Sequence, residues 1–312
     1  MKSGAADHHR ILASVQTWRG APMALATVVE TWKSAPCPVG THMLVHADGR
    51  FTGSVSGGCV EGDVLETARQ VIADNGFALR RYGVADGAAW EVGLPCGGDI
   101  VVLVQNVSPE FFPGSLFGAI IDAQAAGEVL HIGTNLDNGS SAVAQGDAAG
   151  LFINSYLPPR RLIIVGAVEI ASTLASIARA MGVDVVLIDP RARFLTAERF
   201  PDTQLDDRWP DDAIRALAPD ARTAVVTLSH DPKTDDPALL AALQTPAAYI
   251  AALGSKSSHT KRKERLAGMG ASPDQLARIE GPAGVAINAI SAPEIALSIA
   301  GGMVRAFNDG LR

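Results

Sequence analysis

The stretch RLIIVGAVEIASTLASIARAMGVDVVLIDPR, residues 161–191, decides the fold of the second half of this chain. After Arg161, LIIVGA is a short, fully apolar run that closes on Gly166-Ala167, the pattern of a parallel strand covered on both faces. Glu169–Met181 has helical spacing and stops at Gly182, a residue suited to the position just past a helix. VDVVLIDPR is a second buried strand, so the stretch reads as a strand–helix–strand unit. TAVVTLSHD (223–231) and AAYIAALGS (247–255) add two more runs of the same kind. Strands alternating with helices predict a doubly wound parallel sheet, and right-handed crossovers make it Rossmann-like.

Working outward, Pro158-Pro159 is the best linker, and the rhythm before it differs. A chain of 312 residues suits two domains, expected at 1–157 and 160–312. The first part opens with a helical pattern at Asp7–Trp18. A buried strand, MALATVVETW (23–32), follows. A hairpin comes next, with arms Met43–His46 and Phe51–Val55 around Asp48-Gly49. Val60, Val64, Leu65, Ala68, Val71 and Ile72 recur at helical spacing, which predicts a helix over Cys59–Asn75 with Gly76 as its stop. A strand at IVVLVQNV (100–107), a helix near Leu116–Ala126 and short strands at Val129–Gly133 and Ala148–Asn154 complete this part. The tail predicts a helix over Pro293–Phe307, with Ser291 as N-cap and Pro293 at the first helical position. The fold class is therefore α/β: an N-terminal α+β domain with glycine-rich loops, then a Rossmann-like domain.

Composition narrows the function. Apolar residues make up 47% and charged residues 19%, enough for buried cores. A net charge of −7 argues against a nucleic-acid partner, and the one basic run, Lys256–Arg265, reads as a solvated helix face. The polar start MKSGAADHHRILASVQTW lacks an apolar export core. The apolar stretch near 285–304 is broken by Asn288, Pro293 and Glu294, so no membrane span is expected. Three cysteines without a CxxC pair fit a reducing cytoplasm better than a disulfide framework or a structural zinc site.

Three loops carry candidate chemistry. GSVSGGCVEGDV (53–64) joins a strand to a helix and puts Cys59 near a helix start, where the dipole favours an anion. Its glycines, Gly57 and Gly58 among them, would open the backbone to a ligand. Ser54 and Ser56 could bond to that ligand, and Glu61 could complement the helix start or reach ring nitrogens. GLPCGGD (93–99) is a second cysteine–glycine turn, with Cys96, Gly97 and Gly98. The pair reads as two lips of one site, with Cys59 and Cys96 close together; the alternative is that buried cysteines are small apolar filler. In the second half, a dinucleotide turn needs G-x-G-x-x-G and an acid after the next strand. Gly166 and Asp189 are in place, but Val168 and Glu169 replace the later glycine and put a negative charge where a pyrophosphate would lie. NAD(P) use is weakened accordingly. Gly254-Ser255-Lys256-Ser257-Ser258 is the better anion cradle, at the carboxyl end of a strand and the start of a helix. His42 and His46 share a strand face without acids at ligand spacing, so no metal site is expected.

ATVVETWKSAPCPVGTHMLVHADGRFTGSVSGGCVEGDV, GLPCGGDI, LIIVGA, the Gly-Ser-Lys at 254–256 and GPAGVAINAISAPEIALSIAG together resemble the XdhC/CoxI family. Its members are accessory proteins of xanthine dehydrogenase and related molybdenum hydroxylases. The resemblance implies a cytoplasmic, dimeric chaperone without turnover of its own. It would bind the molybdenum cofactor transiently while a cysteine desulfurase supplies its sulfido ligand, and then insert it into the apo-hydroxylase. The contacts it implies are Gly57, Gly58, Cys59, Glu61, Cys96, Gly97 and Gly98. This chain departs from the family pattern at Lys33–Cys37, at Gly166–Glu169 where the family has GAGH, and at Ala300-Gly301. The second departure moves the cofactor's phosphate toward the 254–258 loop. An NAD(P)-dependent oxidoreductase and a non-catalytic adaptor of the hydroxylase stand as alternatives.

Overall fold

Helix α1 (Ala6–Thr17) leads into β1 (Met23–Trp32), the central strand of an antiparallel sheet that also contains β2 (His42–His46) and β3 (Phe51–Gly53). Helix α2 (Glu61–Ala73), β4 (Phe77–Tyr82) and β5 (Asp99–Asn106) follow, giving the strand order β3-β2-β1-β5-β4. The computed structural model describes residues 6–33, 35–83, 98–146 and 149–309. Strand alternation sorts this sheet's core into two layers. Ala24, Ala26 and Val28 of β1, with Ile100, Val102 and Val104 of β5, pack against Val64, Ala68 and Val71 of α2. Met23 and Leu25 belong to the opposite layer. There they meet Ile11 of α1, Phe117 and Ile120 of α3 (Ser115–Ala126), and Ile132. Ile132 lies in a small sheet of β6 (Leu130–Thr134), β7 (Ser141–Ala144) and β8 (Phe152–Tyr156), ordered β7-β6-β8.

The second sheet is parallel throughout. It contains β9 (Arg160–Val165), β10 (Val183–Ile188), β11 (Gln204–Asp206), β12 (Thr223–Thr227), β13 (Tyr249–Ala252) and β14 (Ile279–Glu280). Their order is β11-β10-β9-β12-β13-β14, with every pair parallel. Helices α4 (Glu169–Ala180) and α9 (Ala292–Asp309) cover the face built from Leu162, Ile164, Val185, Leu187 and Val226. On the other face, α5 (Pro210–Leu217), α6 (Pro232–Leu243) and α7 (Lys256–Gly268) cover Ile163, Val165, Val186, Val225 and Ile250. A short helix, α8 (Pro273–Ala277), precedes β14. Strand order reverses between β9 and β12, the switch point where such sheets place ligands at their carboxyl edge. The chain separates into two compact units, Met1–Pro158 and Pro159–Arg312.

Several boundaries differ from the sequence reading. Helix α2 begins at Glu61, not Cys59, because residues up to Val60 are folded onto a side chain (below). The strand expected at 148–154 lies at Phe152–Tyr156. Strand β4, FALRRY, escaped the reading because its middle is charged and exposed, as suits a sheet edge. In α9 the first helical residue is Ala292, so Pro293 is second. Ser291 caps the helix in a reciprocal pair, with Glu294 accepting from the Ser291 and Ile290 N–H groups.

Candidate functional site

The glycine-rich loop before α2 is organised around one carboxylate. Glu61 is 8% exposed and accepts six hydrogen bonds, all from residues 54–60. Its Oε1 takes the Ser54 hydroxyl at 2.5 Å and the Ser56 N–H at 2.9 Å, with Val55 N–H at 3.2 Å. Its Oε2 takes the Ser56 hydroxyl at 2.6 Å and the N–H groups of Gly58 and Val60 at 2.8 and 3.2 Å. Ser56 Oγ in turn accepts from Cys59 and Val60 N–H at 3.0 Å each, and Ser54 Oγ accepts from Gly57 N–H at 2.8 Å. Successive backbone N–H groups curled in this way make an anion-binding nest, and here the nest holds the chain's own anion. Burial pushes the Glu61 pKa up, but the serine hydroxyls and backbone N–H groups outweigh it and bring it down to about 2. The Ser54 and Ser56 hydroxyls are therefore turned onto Glu61, and the sequence reading of them as ligand donors is replaced by an internal role.

What the loop leaves outside is Gly57, Gly58 and Cys59, all exposed. Gly57 and Gly58 have φ of 74° and 119°, which side-chain-bearing residues rarely adopt, and no heavy atom lies within 4 Å of where a Cβ would stand. A flat ligand could approach this backbone closely. Cys37, by contrast, is half-buried and packs against the core under α2. We expect iodoacetamide to modify Cys59 at least about tenfold faster than Cys37, because access gates thiol attack; tryptic mapping that finds Cys37 modified first would contradict this. The position of Cys59 relative to Cys96 lies outside the described residues, as do Cys96 and Gly97 themselves. Gly98 is buried at the start of β5. Tyr82 closes β4 and donates to Asp63 of α2 at 2.6 Å. Burial and the Asp63 carboxylate both push the Tyr82 pKa up.

In the second unit, Gly166 follows β9 with φ of 108°. A Cβ there would meet the Ser229 backbone nitrogen at 2.9 Å, so glycine is needed for β9 and the turn after β12 to touch. Asp189 stands where dinucleotide folds place a ribose acid, but its oxygens are held by this chain. Oδ2 accepts from Ala167 N–H at 2.8 Å and from Arg191 Nη2 at 2.7 Å; Oδ1 accepts from Arg191 N–H and Nε, both at 2.9 Å. Burial raises its pKa, yet the Arg191 guanidinium and these N–H groups hold it below the usual carboxylate range. Asp189→Ala is expected to destabilise this unit by ~2 kcal/mol, the cost of leaving the buried Ala167 N–H without its acceptor; a urea titration showing under ~1 kcal/mol would refute that structural role. Gly254, Ser255 and Lys256 open α7, with φ of 140° at Gly254 and the Ser255 hydroxyl accepting from Ser258 N–H at 3.1 Å.

The two histidines of β2 share a strand face, as expected, but have different surroundings. His46 is half-buried, packed edge-on against Trp18 and beside Asp48 and Arg50. His42 is buried, bonded to Thr27 Oγ1 at 2.9 Å, Tyr156 OH at 2.8 Å and Asn154 Nδ2 at 3.1 Å. Burial, aided by His8, pushes its pKa well down. Among the described residues no His, Cys, Asp and Glu group could hold a metal ion, and no helix is long and apolar enough to cross a membrane. The sequence reading missed two partners that fix these sites. Arg191 was hidden because an arginine two residues past a strand carries no motif. Arg262 lies inside the basic run that reads as a solvated face, yet it falls in step with the buried His259 and Leu266; that helical spacing is the available signal.

Comparison with known proteins covers most of the chain. Residues 18–83 match the profile of the XdhC and CoxI family, and residues 162–303 match the XdhC Rossmann domain. The molybdenum cofactor insertion chaperone PaoD of Escherichia coli K12 is 31% identical over 310 residues, spanning 94% of this chain and 86% of PaoD. A probable xanthine dehydrogenase component of Bacillus subtilis 168 is 25% identical, over 88% of this chain and 90% of that protein. The fold matches a crystal structure of a xanthine dehydrogenase from Bacillus halodurans with a TM-score of 0.84 at 24% identity, covering 97% of this chain and 96% of that one.

Proposed function

This chain belongs to the XdhC and CoxI family, and from that premise we propose that it is a molybdenum-cofactor insertion chaperone, a holder of cargo that needs no turnover of its own. In this reading it binds the pyranopterin transiently, keeps it while a cysteine desulfurase supplies a terminal sulfur, and passes it to an apo-hydroxylase of the xanthine dehydrogenase type. It would do so as a cytoplasmic homodimer.

The observation that carries the reading is the exposed Cys59 on a loop fixed from beneath by Glu61. A thiol is a soft donor suited to molybdenum–sulfur chemistry. Its value here depends on position. The backbone N–H of Cys59 is tied to Ser56 Oγ, so the residue is held at the head of α2 and does not drift with a mobile loop. Gly57 and Gly58 offer bare backbone on which a planar ring can lie. Glu61 acts through the loop, as a positioning residue, because all its hydrogen bonds run to the loop itself.

Mixing the purified protein with molybdopterin, then gel filtering and oxidising the fractions, tests this. Pterin fluorescence is expected in the protein peak. Fluorescence confined to the small-molecule volume would overturn the reading.

A further inference from the structure

Helix α7 buries an arginine where a covered helix face would ordinarily place an apolar side chain. Arg262 is 5% exposed and packs inward in step with Leu266. Its Nη2 donates to the Leu253 carbonyl at 2.9 Å, at the end of β13. Its Nε and Nη1 have no hydrogen-bond partner. The nearest acid, Asp235 of α6, is 3.8 Å from Nη2, beyond hydrogen-bond reach, and its Oδ2 is likewise unpartnered. Asp235 Oδ1 is occupied by the Ser229 hydroxyl at 2.6 Å. A buried guanidinium with idle donors is costly to keep, because water has been removed and nothing replaces it, so its retention asks for a use.

The guanidinium lies directly behind the turn into α7. A Cβ built on Gly254 would stand 3.8 and 3.9 Å from Nη2 and Nη1 and 3.3 Å from the Ser258 Cβ. In front of the turn are the first-turn N–H groups of Lys256 and Ser257, which have no partner within a helix. The exposed Ser255 and Ser258 hydroxyls and the Lys256 side chain are beside them. Helix α7 has 13 residues, long enough for its dipole to favour an anion here.

We propose that the Gly254–Ser258 turn, backed by Arg262, is a seat for the phosphate group of a phosphate monoester. The chemistry is a dianion held by backbone N–H groups and hydroxyls in front and by the fork of a guanidinium behind, with Gly254 keeping the space between them clear of a side chain. The choice of an ester rests on the chaperone reading, since the pyranopterin ends in such a group; the arginine-backed turn does not depend on it.

The test titrates the full-length protein with phenyl phosphate and with orthophosphate at constant ionic strength, followed by phosphorus NMR. Saturable binding of the ester is expected, weakened at least about tenfold by Arg262→Lys and by Gly254→Ala. The surface variants Lys261→Ala and Lys263→Ala should bind as the parent does. Circular dichroism checks each variant, and should Arg262→Lys misfold, Gly254→Ala and Lys256→Ala carry the result with the arginine in place. Absent ester binding, orthophosphate binding alone, or equal losses in the Lys261 and Lys263 variants would overturn the proposal. These probes contain no pterin, so failure here leaves the chaperone reading standing. Failure of pterin retention with ester binding intact would remove that reading and leave the seat.

Discussion

Glu61→Gln is expected to destabilise the N-terminal unit by about 3 kcal/mol and to release the loop that carries Cys59. The six groups bonded to Glu61 are all donors. An amide of the same shape offers one oxygen and one NH2, so half of the web would set donor against donor. The magnitude follows from the pKa: a fall from 4.5 to about 2 corresponds to ~3 kcal/mol of preference for the ionised carboxylate in the fold. The hydrogen-bond view gives the same order, since bonds to a charged acceptor contribute about 1.5–3 kcal/mol each before the cost of burying the charge. Urea unfolding of the two proteins at neutral pH measures the difference. A loss below ~1 kcal/mol would mean that the loop is held by something other than its carboxylate.

The same bond web fixes a pH dependence. A carboxylate whose pKa is lowered by folding contributes its stability above the unfolded value and loses it as pH falls through the folded one. For Glu61 the contribution is complete above about 4.5 and gone near 2. The gap between parent and Glu61→Gln should therefore close across that interval. A loss beginning at higher pH has a different origin. His42 is buried neutral, and below its ordinary value of 6.5 the unfolded chain takes up a proton that the fold resists. That loss should be the same in parent and variant.

Much of the fold was legible because burial on both faces leaves a plain mark. RLIIV and VDVVLI contain almost nothing polar, and they became β9 and β10 at the centre of the parallel sheet. The edge strand FALRRY was illegible for the opposite reason, since half of it faces water. In the candidate site, the glycines and the cysteine were visible, but the meaning of VEG was not. Glu61 looked like a helix-start acid with a spare face for a ligand. Its actual partners lie one to seven residues back, the Ser54 hydroxyl the farthest among them, folded over by positive-φ glycines that a linear reading cannot bend. Asp189 was legible as the acid after a strand, and its occupation by Arg191 was not, because a bidentate pair two residues apart depends on the local turn. Arg262 shows that a charge run can hide one residue with a different task.

The second large effect concerns Cys59. Its thiol is exposed and its side chain supports none of the hydrogen bonds that hold the loop, so Cys59→Ala should fold and melt as the parent does. Retention of the cofactor should nevertheless fall at least about tenfold, the ~1.4 kcal/mol that one modest donor contact contributes, while Cys37→Ala retains it in full. The direct measurement is the native mass spectrum of parent and Cys59→Ala proteins, each purified from cells with active molybdenum-cofactor synthesis. The chaperone reading predicts a bound pterin on the parent that is largely absent from Cys59→Ala. A parent without pterin, or a variant carrying as much as the parent, would contradict it.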